Sequence, residues 1–220
     1  MHDIILPTFG LGAHTAITLY LSFSLVVFAF AIKDRLRLIP GKVQSIVEII
    51  IEMFLDQCND IIGHHGVKFV PFIVTFFIFI LLSNALGFVP GLMPPTANLN
   101  TTAGLALAGF IATHIIGFRE GGMKYLRHFT GPNLYLAPLM VPIEIVGQFA
   151  RPLSLSLRLF GNMMGHETVV GVLLIIMPIG YPLLGFFTAL GVLVAILQAF
   201  VFSLLSMAYI GGAVGGEEEH

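Results

Sequence analysis

The sequence predicts an all-α integral membrane protein with about five membrane-crossing helices and one interfacial amphipathic helix. Three observations carry that reading. The 220 residues are 57% hydrophobic and only 10% charged, whereas soluble domains carry about a quarter charged residues. No Asp, Glu, Lys or Arg occurs from Phe69 to Phe118 or from Thr168 to Gly216, and each stretch is more than twice the ~20 residues that one helix needs to span a bilayer. Of the ten basic residues, eight (Lys33, Arg35, Arg37, Lys42, Lys68, Arg119, Lys124 and Arg127) fall in or beside loops between apolar segments.

Taken in order, residues 16–32 form the first span, a charge-free run followed by Pro40-Gly41. Residues 43–62 differ. Glu48, Glu52 and Asp56 step by four along one face, with Asn59 and Asp60 beside them, while Val43, Ile46, Val47, Ile50, Phe54 and Ile61 take the other. That is the pattern of a helix lying at the interface, and its acidic face argues against anionic lipid as partner. Residues 69–89 are the second span and 101–118 the third, joined by a turn-rich, uncharged loop through Pro94-Pro95. Residues 134–177 are too long for one perpendicular crossing, so this segment is steeply tilted, broken at Pro138, Pro142 or Pro152, or partly outside the hydrocarbon. Residues 183–210 form the last long helix and 211–220 an acidic tail, in one membrane domain spanning 1–220. The positive-inside rule places the basic loops in the cytoplasm, the N-terminus outside and the C-terminus inside. The single cysteine, Cys58, excludes an intrachain disulfide and reads as a buried thiol. The N-terminus lacks the basic region of a cleavable signal, so the first span is expected to remain as an anchor. A net charge of −2 gives no reason to expect nucleic acid as a partner.

The candidate functional residues lie in 144–167. On a helix, Glu144, Gln148, Arg151, Arg158, Asn162 and His166 share an arc within about 40° of Glu144, and Glu167 lies about 100° round from His166. Charge inside a lipid-spanning segment is costly and marks a functional site by default. Arg158 is the sharpest case: it lies too far from either end of its helix to reach the interface, and burial there costs from ~3 to above ~10 kcal/mol. A structural salt bridge to Glu144 or Glu167 would offset that, but neither sits one turn away. A guanidinium stays charged, so it attracts or blocks rather than relays protons. Gly161 and Gly165, four apart on nearly the same face, let another helix approach closely. Glu144, His166 and Glu167 can exchange protons; Asn162, Gln148 and Gln198 can hydrogen-bond water along the way. His166 alone reads equally as a hydrogen-bonded core histidine, and Gln198, Asn84, His114, Asn98 and Asn100 as polar glue or loop residues. Ionisable groups on both sides of a non-relaying arginine suit two half-pathways that do not join.

Ser156-Leu-Arg-Leu-Phe-Gly-Asn-Met163, Pro95-Thr-Ala-Asn-Leu-Asn-Thr-Thr102 and Leu197-Gln-Ala-Phe-Val-Phe202 carry a resemblance. With segment order and length over nearly the whole chain, they make it similar to the subunit a family of the F-type ATP synthase, the stator half of its proton channel. The resemblance implies that Arg158 faces the ion-binding carboxylate of the rotating c-ring. It implies that Asn162, Glu167 and Gln198 line the outer half-channel, and Glu144 the cytoplasmic one. It also implies that the last two long helices form a steeply tilted hairpin against the ring, with the subunit b stalk and lipid as further neighbours, in a bacterial inner membrane. No cofactor and no active site of its own are expected. Many members carry an aspartate where this chain has Asn98. Gly191 falls where some have an ionisable partner for the residue at Glu167, and His166 is the expected substitute. Outside the resemblance, the residues also suit a self-contained secondary transporter binding an anion at Arg158. An intramembrane hydrolase ranks last, for want of His-Glu-x-x-His or Gly-x-Ser-x-Gly.

Overall fold

A computed structural model describes residues 12–33, 41–63, 66–89, 92–122, 125, 137–176 and 180–214. The basic segment at 34–40, the basic residues Lys124, Arg127 and His128, the first residues (134–136) and the last (177) of the long span expected at 134–177, and the tail 215–220 lie outside the described residues. Among these, the chain forms six α-helices and no strand: α1 (Ala13–Lys33), α2 (Lys42–Ile62), α3 (Val70–Ala85), α4 (Leu99–Gly121), α5 (Ala137–Ile175) and α6 (Gly180–Val214). Short 3₁₀ turns at Gly66–Phe69, Leu86–Phe88 and Pro95–Ala97 flank α3 and precede α4. Backbone groups left unpaired in hydrocarbon cost several kcal/mol each, so an all-helical chain is what this composition requires.

Among the described residues, four stretches are long and apolar enough to cross a membrane: His14–Ala31, Gly66–Phe88, Leu99–Glu120 and Leu183–Val214. The 39-residue α5 is longer than any of these helices but is interrupted by Glu144, Arg151, Arg158 and Glu167. It is helical throughout, with Pro142 and Pro152 inside it, so of the sequence-based alternatives a break at these prolines is removed. At 1.5 Å per residue it is about 58 Å long.

Antiparallel pairing sets the sides of the molecule. The Lys68 ammonium at the start of α3 meets the Glu120 carboxylate at the end of α4 at 3.8 Å. The backbone of Gly211, near the end of α6, approaches Ile61 and Ile62 at the end of α2 so closely that a Cβ would lie 3.1 Å from the Ile61 carbonyl. At the other end, a His14 ring nitrogen lies 3.3 Å from the Pro94 carbonyl oxygen. The ends of α2, α4 and α6 therefore share one side with the start of α3, and the start of α1 shares the other with the loop before α4.

The core is aromatic and lies among α2, α3 and α6. Phe54 packs on Phe77 (5.1 Å between centroids) and Phe200 (6.1 Å), and Phe76 stacks on Phe202 at 5.7 Å. On α2 the edge packed within the chain is Phe54, Cys58 and Ile62, whereas Val43, Ile46 and Ile61, on the apolar side by period, are exposed. Periodicity finds an apolar face wider than α3 and α6 can cover, and its outer margin is left for lipid or a neighbour. Gly63 closes α2 with φ 82°, a conformation that favours glycine, and its N–H donates to the Asn59 carbonyl at 3.1 Å.

Cys58 is fully buried, and desolvation pushes its thiol up to about 11. Because the folded value lies above the unfolded one, the stability tied to the neutral thiol is complete below about pH 9. It is lost as pH rises through 11. Gly66 sits against the same corner: a Cβ there would lie 2.6 Å from the Cys58 carbonyl oxygen. We expect Gly66→Ala to lower the thermal stability of the detergent-solubilised protein, by about 1–3 kcal/mol as for other overpacked sites. Gly104→Ala, where a Cβ meets nothing within 4 Å, should leave it unchanged. Equal melting of the two variants would show that the α2–α3 corner yields freely.

Candidate functional site

The polar arc on α5 is divided into two networks, each completed by α6. On the side of the α2–α3 corner, the buried Gln148 donates from Nε2 to Glu144 Oε1 at 2.9 Å and accepts from Arg151 Nη1 at 3.3 Å. Arg151 Nη2 lies 4.0 Å from the same Glu144 oxygen, at the outer limit of an ion pair. The Arg151 guanidinium also lies over the Tyr209 ring of α6, 4.9 Å from its centroid. Glu144 is thus engaged by Arg151, not by Arg158. A cavity of about 90 Å³ opens beside this group between Thr113, Tyr125, Gln148, Arg151 and Tyr209, large enough for several waters.

The second network lies beyond Arg158. Asn162 Nδ2 donates to Gln198 Oε1 at 2.8 Å, tying α5 to α6. The Gln198 side-chain amide nitrogen is buried and unpartnered. Asn84 of α3, 1% exposed, donates to the Ala195 carbonyl at 3.3 Å and accepts from the Thr96 hydroxyl at 2.8 Å. These groups border a cavity of about 290 Å³ that also takes in His166, Leu190 and Gly191. A buried amide donor facing such a space has water as its natural partner.

His166 meets the edge of Phe88 at 5.1 Å between ring centroids. Its ring occupies the space a side chain at 191 would need: a Cβ on Gly191 would lie 2.6 Å from His166 Nδ1. The imidazole of α5 thus fills a notch in α6 that exists because residue 191 has no side chain. Glu167, half-buried, is the next residue of α5. The contacts step Arg151–Tyr209, Asn162–Gln198, His166–Gly191, as antiparallel helices require.

Arg158 stands between the two networks and joins neither. It is exposed and has no hydrogen-bond or ion-pair partner among the described residues. Gly161 and Gly165 beside it are exposed, with nothing within 4 Å of where their Cβ atoms would be. Apolar Leu157, Leu190, Leu193 and Leu197 are exposed on the same two helices. A guanidinium on an apolar, glycine-indented surface, with titratable groups in separate cavities on either side, can hold a fixed charge against a docked partner and cannot itself pass protons between them.

The arc itself was readable from sequence spacing. Arg151–Tyr209 and Asn84–Thr96 were not singled out as sites. The signal for Asn84 was its place in an uncharged span; Tyr209, a single aromatic among apolar residues, gave none.

The fold and this surface define a polytopic membrane protein whose polar interior is split around an arginine with no partner among the described residues. The family model for the ATP synthase A chain matches residues 13–211. Among curated relatives, "ATP synthase subunit a 1" of Syntrophotalea carbinolica is 46% identical over 215 residues, covering 98% of this chain and 90% of its own length. "ATP synthase subunit a" of Geotalea uraniireducens is 47% identical over 196 residues, covering 89% and 84%. The corresponding subunit of Geotalea daltonii is 47% identical over 202 residues, covering 92% and 86%. This chain belongs to the ATP synthase subunit a family.

The notch at 191 generates a prediction. Gly191→Ala should displace the His166 ring and cut proton flux through reconstituted complexes several-fold. Combining it with His166→Gly should relieve the clash and restore normal subunit content in the membrane. Wild-type flux in Gly191→Ala would show that the ring has other room.

Proposed function

We propose that this chain is the proton-translocating stator subunit of an F-type ATP synthase in a bacterial cytoplasmic membrane, working against the c-ring with subunit b as a further neighbour. The observation that carries this reading is Arg158: a permanent cation, exposed and unpaired, on a glycine-indented helix face inside a membrane protein. Such a charge, uncompensated among the described residues, calls for an acid on a partner. The family assignment supplies the class of partner.

Protons enter from the outside through the cavity bordered by Asn162, His166 and Gln198, with Glu167 beside it, and protonate a ring carboxylate. The neutral carboxyl moves into lipid as the ring turns. After nearly a full turn it meets the cytoplasmic cavity, where Glu144 accepts the proton and passes it on through water hydrogen-bonded to Gln148. The resulting carboxylate is drawn to Arg158, which holds it charged and keeps the two cavities from short-circuiting. Flow through the subunit thereby drives rotation, and ATP forms elsewhere in the complex. A self-contained anion transporter is not favoured: the relatives are subunits of ATP synthase, and Arg158 lies on an open face, not in a closed pocket.

Arg158→Lys and Arg158→Ala should both abolish proton-driven ATP synthesis while the subunit still assembles. A compact ammonium sheds its proton more readily on burial and lacks the guanidinium's fork of donors. Arg158→Ala should in addition leave a passive leak. Synthesis and leak in inverted vesicles, with subunit content checked by blotting, test this; near-normal synthesis by the Lys variant would overturn the mechanism. In the same assay Glu167→Gln should slow flux, and Glu144→Gln should slow it less, because Gln148 and cavity water remain. Wild-type rates in both across about pH 6 to 9 would remove these residues from the pathway.

The N-terminus is placed outside and the C-terminus in the cytoplasm. The ends of α2, α4 and α6 share a side and bear Lys68 and Arg119, which supports this orientation. Cysteines introduced at Arg37 and Lys124 should be labelled only from the cytoplasm, and one at Asn98 only from outside. Native Cys58, buried and protonated at neutral pH, gives a silent background. Labelling of all three from one side would sink the five-span topology.

A further inference from the structure

We propose that His114, on α4, is a proton-accepting residue of the cytoplasmic pathway, taking the proton that a ring carboxyl releases and passing it to cytoplasmic water. This deepens the reading above and rests on it.

His114 Nδ1 is buried and has no hydrogen-bond partner. The Phe110 carbonyl one turn back lies near the ring without meeting hydrogen-bond geometry. The imidazole is positioned by stacking: the Phe110 ring lies 4.2 Å away and the Tyr125 ring 6.1 Å, nearly perpendicular. It borders a small space of about 20 Å³ together with Thr113, Gln148, Arg151, Ser206 and Tyr209, room for about one water. Four of those residues (Thr113, Gln148, Arg151 and Tyr209) also line the 90 Å³ cavity, so the space beside His114 adjoins the larger one. The same space reaches Leu155 and Phe202, deeper along α5 and α6 toward Arg158.

A histidine serving only as packing would have its ring nitrogens matched by fixed partners or turned to solvent. Here an unpartnered ring nitrogen belongs to a residue that borders a one-water space at the junction of three helices, seven residues (~10 Å) from the cytoplasmic end of α4. The charged and titratable groups around it are Arg151 and Glu144 on α5, Tyr209 on α6, Tyr125 beyond α4, and Arg119 one turn on. The step is balanced: the ring carboxyl loses H⁺ to the bridging water, the water passes H⁺ to the imidazole lone pair, and the imidazolium releases H⁺ to the larger cavity. Arg151, fixed by Gln148 and Tyr209 and unable to take up a proton, opposes a lasting imidazolium by like charge, so the proton moves on.

The first test uses the unaltered ATP synthase in vesicles. Deuterium exchange at the imidazole C2 position, followed by mass spectrometry from about pH 5.5 to 8.5, should give a sigmoidal titration for His114. Exchange that is absent at every pH would overturn the proposal. In the second, His114→Gln, which keeps hydrogen bonding without titrating, should lower proton flux several-fold and flatten its dependence on cytoplasmic pH. Added imidazole should restore part of the flux to His114→Ala. A Gln variant with wild-type flux and an unchanged pH profile would overturn the proposal. If it does so while Arg158→Ala is uncoupled, only the role of His114 fails; if Arg158→Ala remains coupled, the stator reading falls and takes this proposal with it.

Discussion

A guanidinium held in the middle of a long helix without a partner among the described residues is the constraint on which the rest depends. Pairing Arg158 with Glu144 or Glu167 would have relieved the cost and silenced the charge. Instead Glu144 is held by Gln148 and Arg151, and Asn162 turns to Gln198. The polar neighbours are drawn aside, leaving the cation on an open face flanked by Gly161 and Gly165. The unbroken α5 follows from the same demand. A helix of about 58 Å can present one charge at mid-depth and still carry polar groups toward both membrane faces.

The other helices stabilise that arrangement. The phenylalanine cluster among α2, α3 and α6 anchors α6 at the side where Tyr209 covers Arg151. Asn84, locked by Thr96 and the Ala195 carbonyl, anchors it on the other. Both are contacts of a rigid wall, and a wall must not yield if a moving partner is to feel a fixed field.

Much of this was legible in the chain. Apolar run lengths and the placement of lysines and arginines define an all-helical membrane protein. The 3.6-residue period puts Glu144, Gln148, Arg151, Arg158, Asn162 and His166 on one arc because that relation is internal to a single helix. How the arc divides was not legible, since the division is made by α4 and α6 through contacts far apart in sequence: Arg151 with Tyr209, Asn162 with Gln198. On α2 the period gave an apolar face, but which edge of it packs depends on where α3 and α6 lie: Phe54 is buried while Val43 and Ile46 are exposed. His114 and Asn84 read as polar glue for the same reason: their meaning lies in the cavities and partners around them.

The interlock of His166 with Gly191 has a consequence for how such chains can diverge. One site holds a large ring only while the other holds nothing, so neither can change alone without passing through a crowded or hollow intermediate. The two positions should therefore change together. A lineage that moved the imidazole across to α6 would have to empty position 166 in the same step, and chimaeras that exchange α6 between two such lineages would fail here before they failed at the arginine.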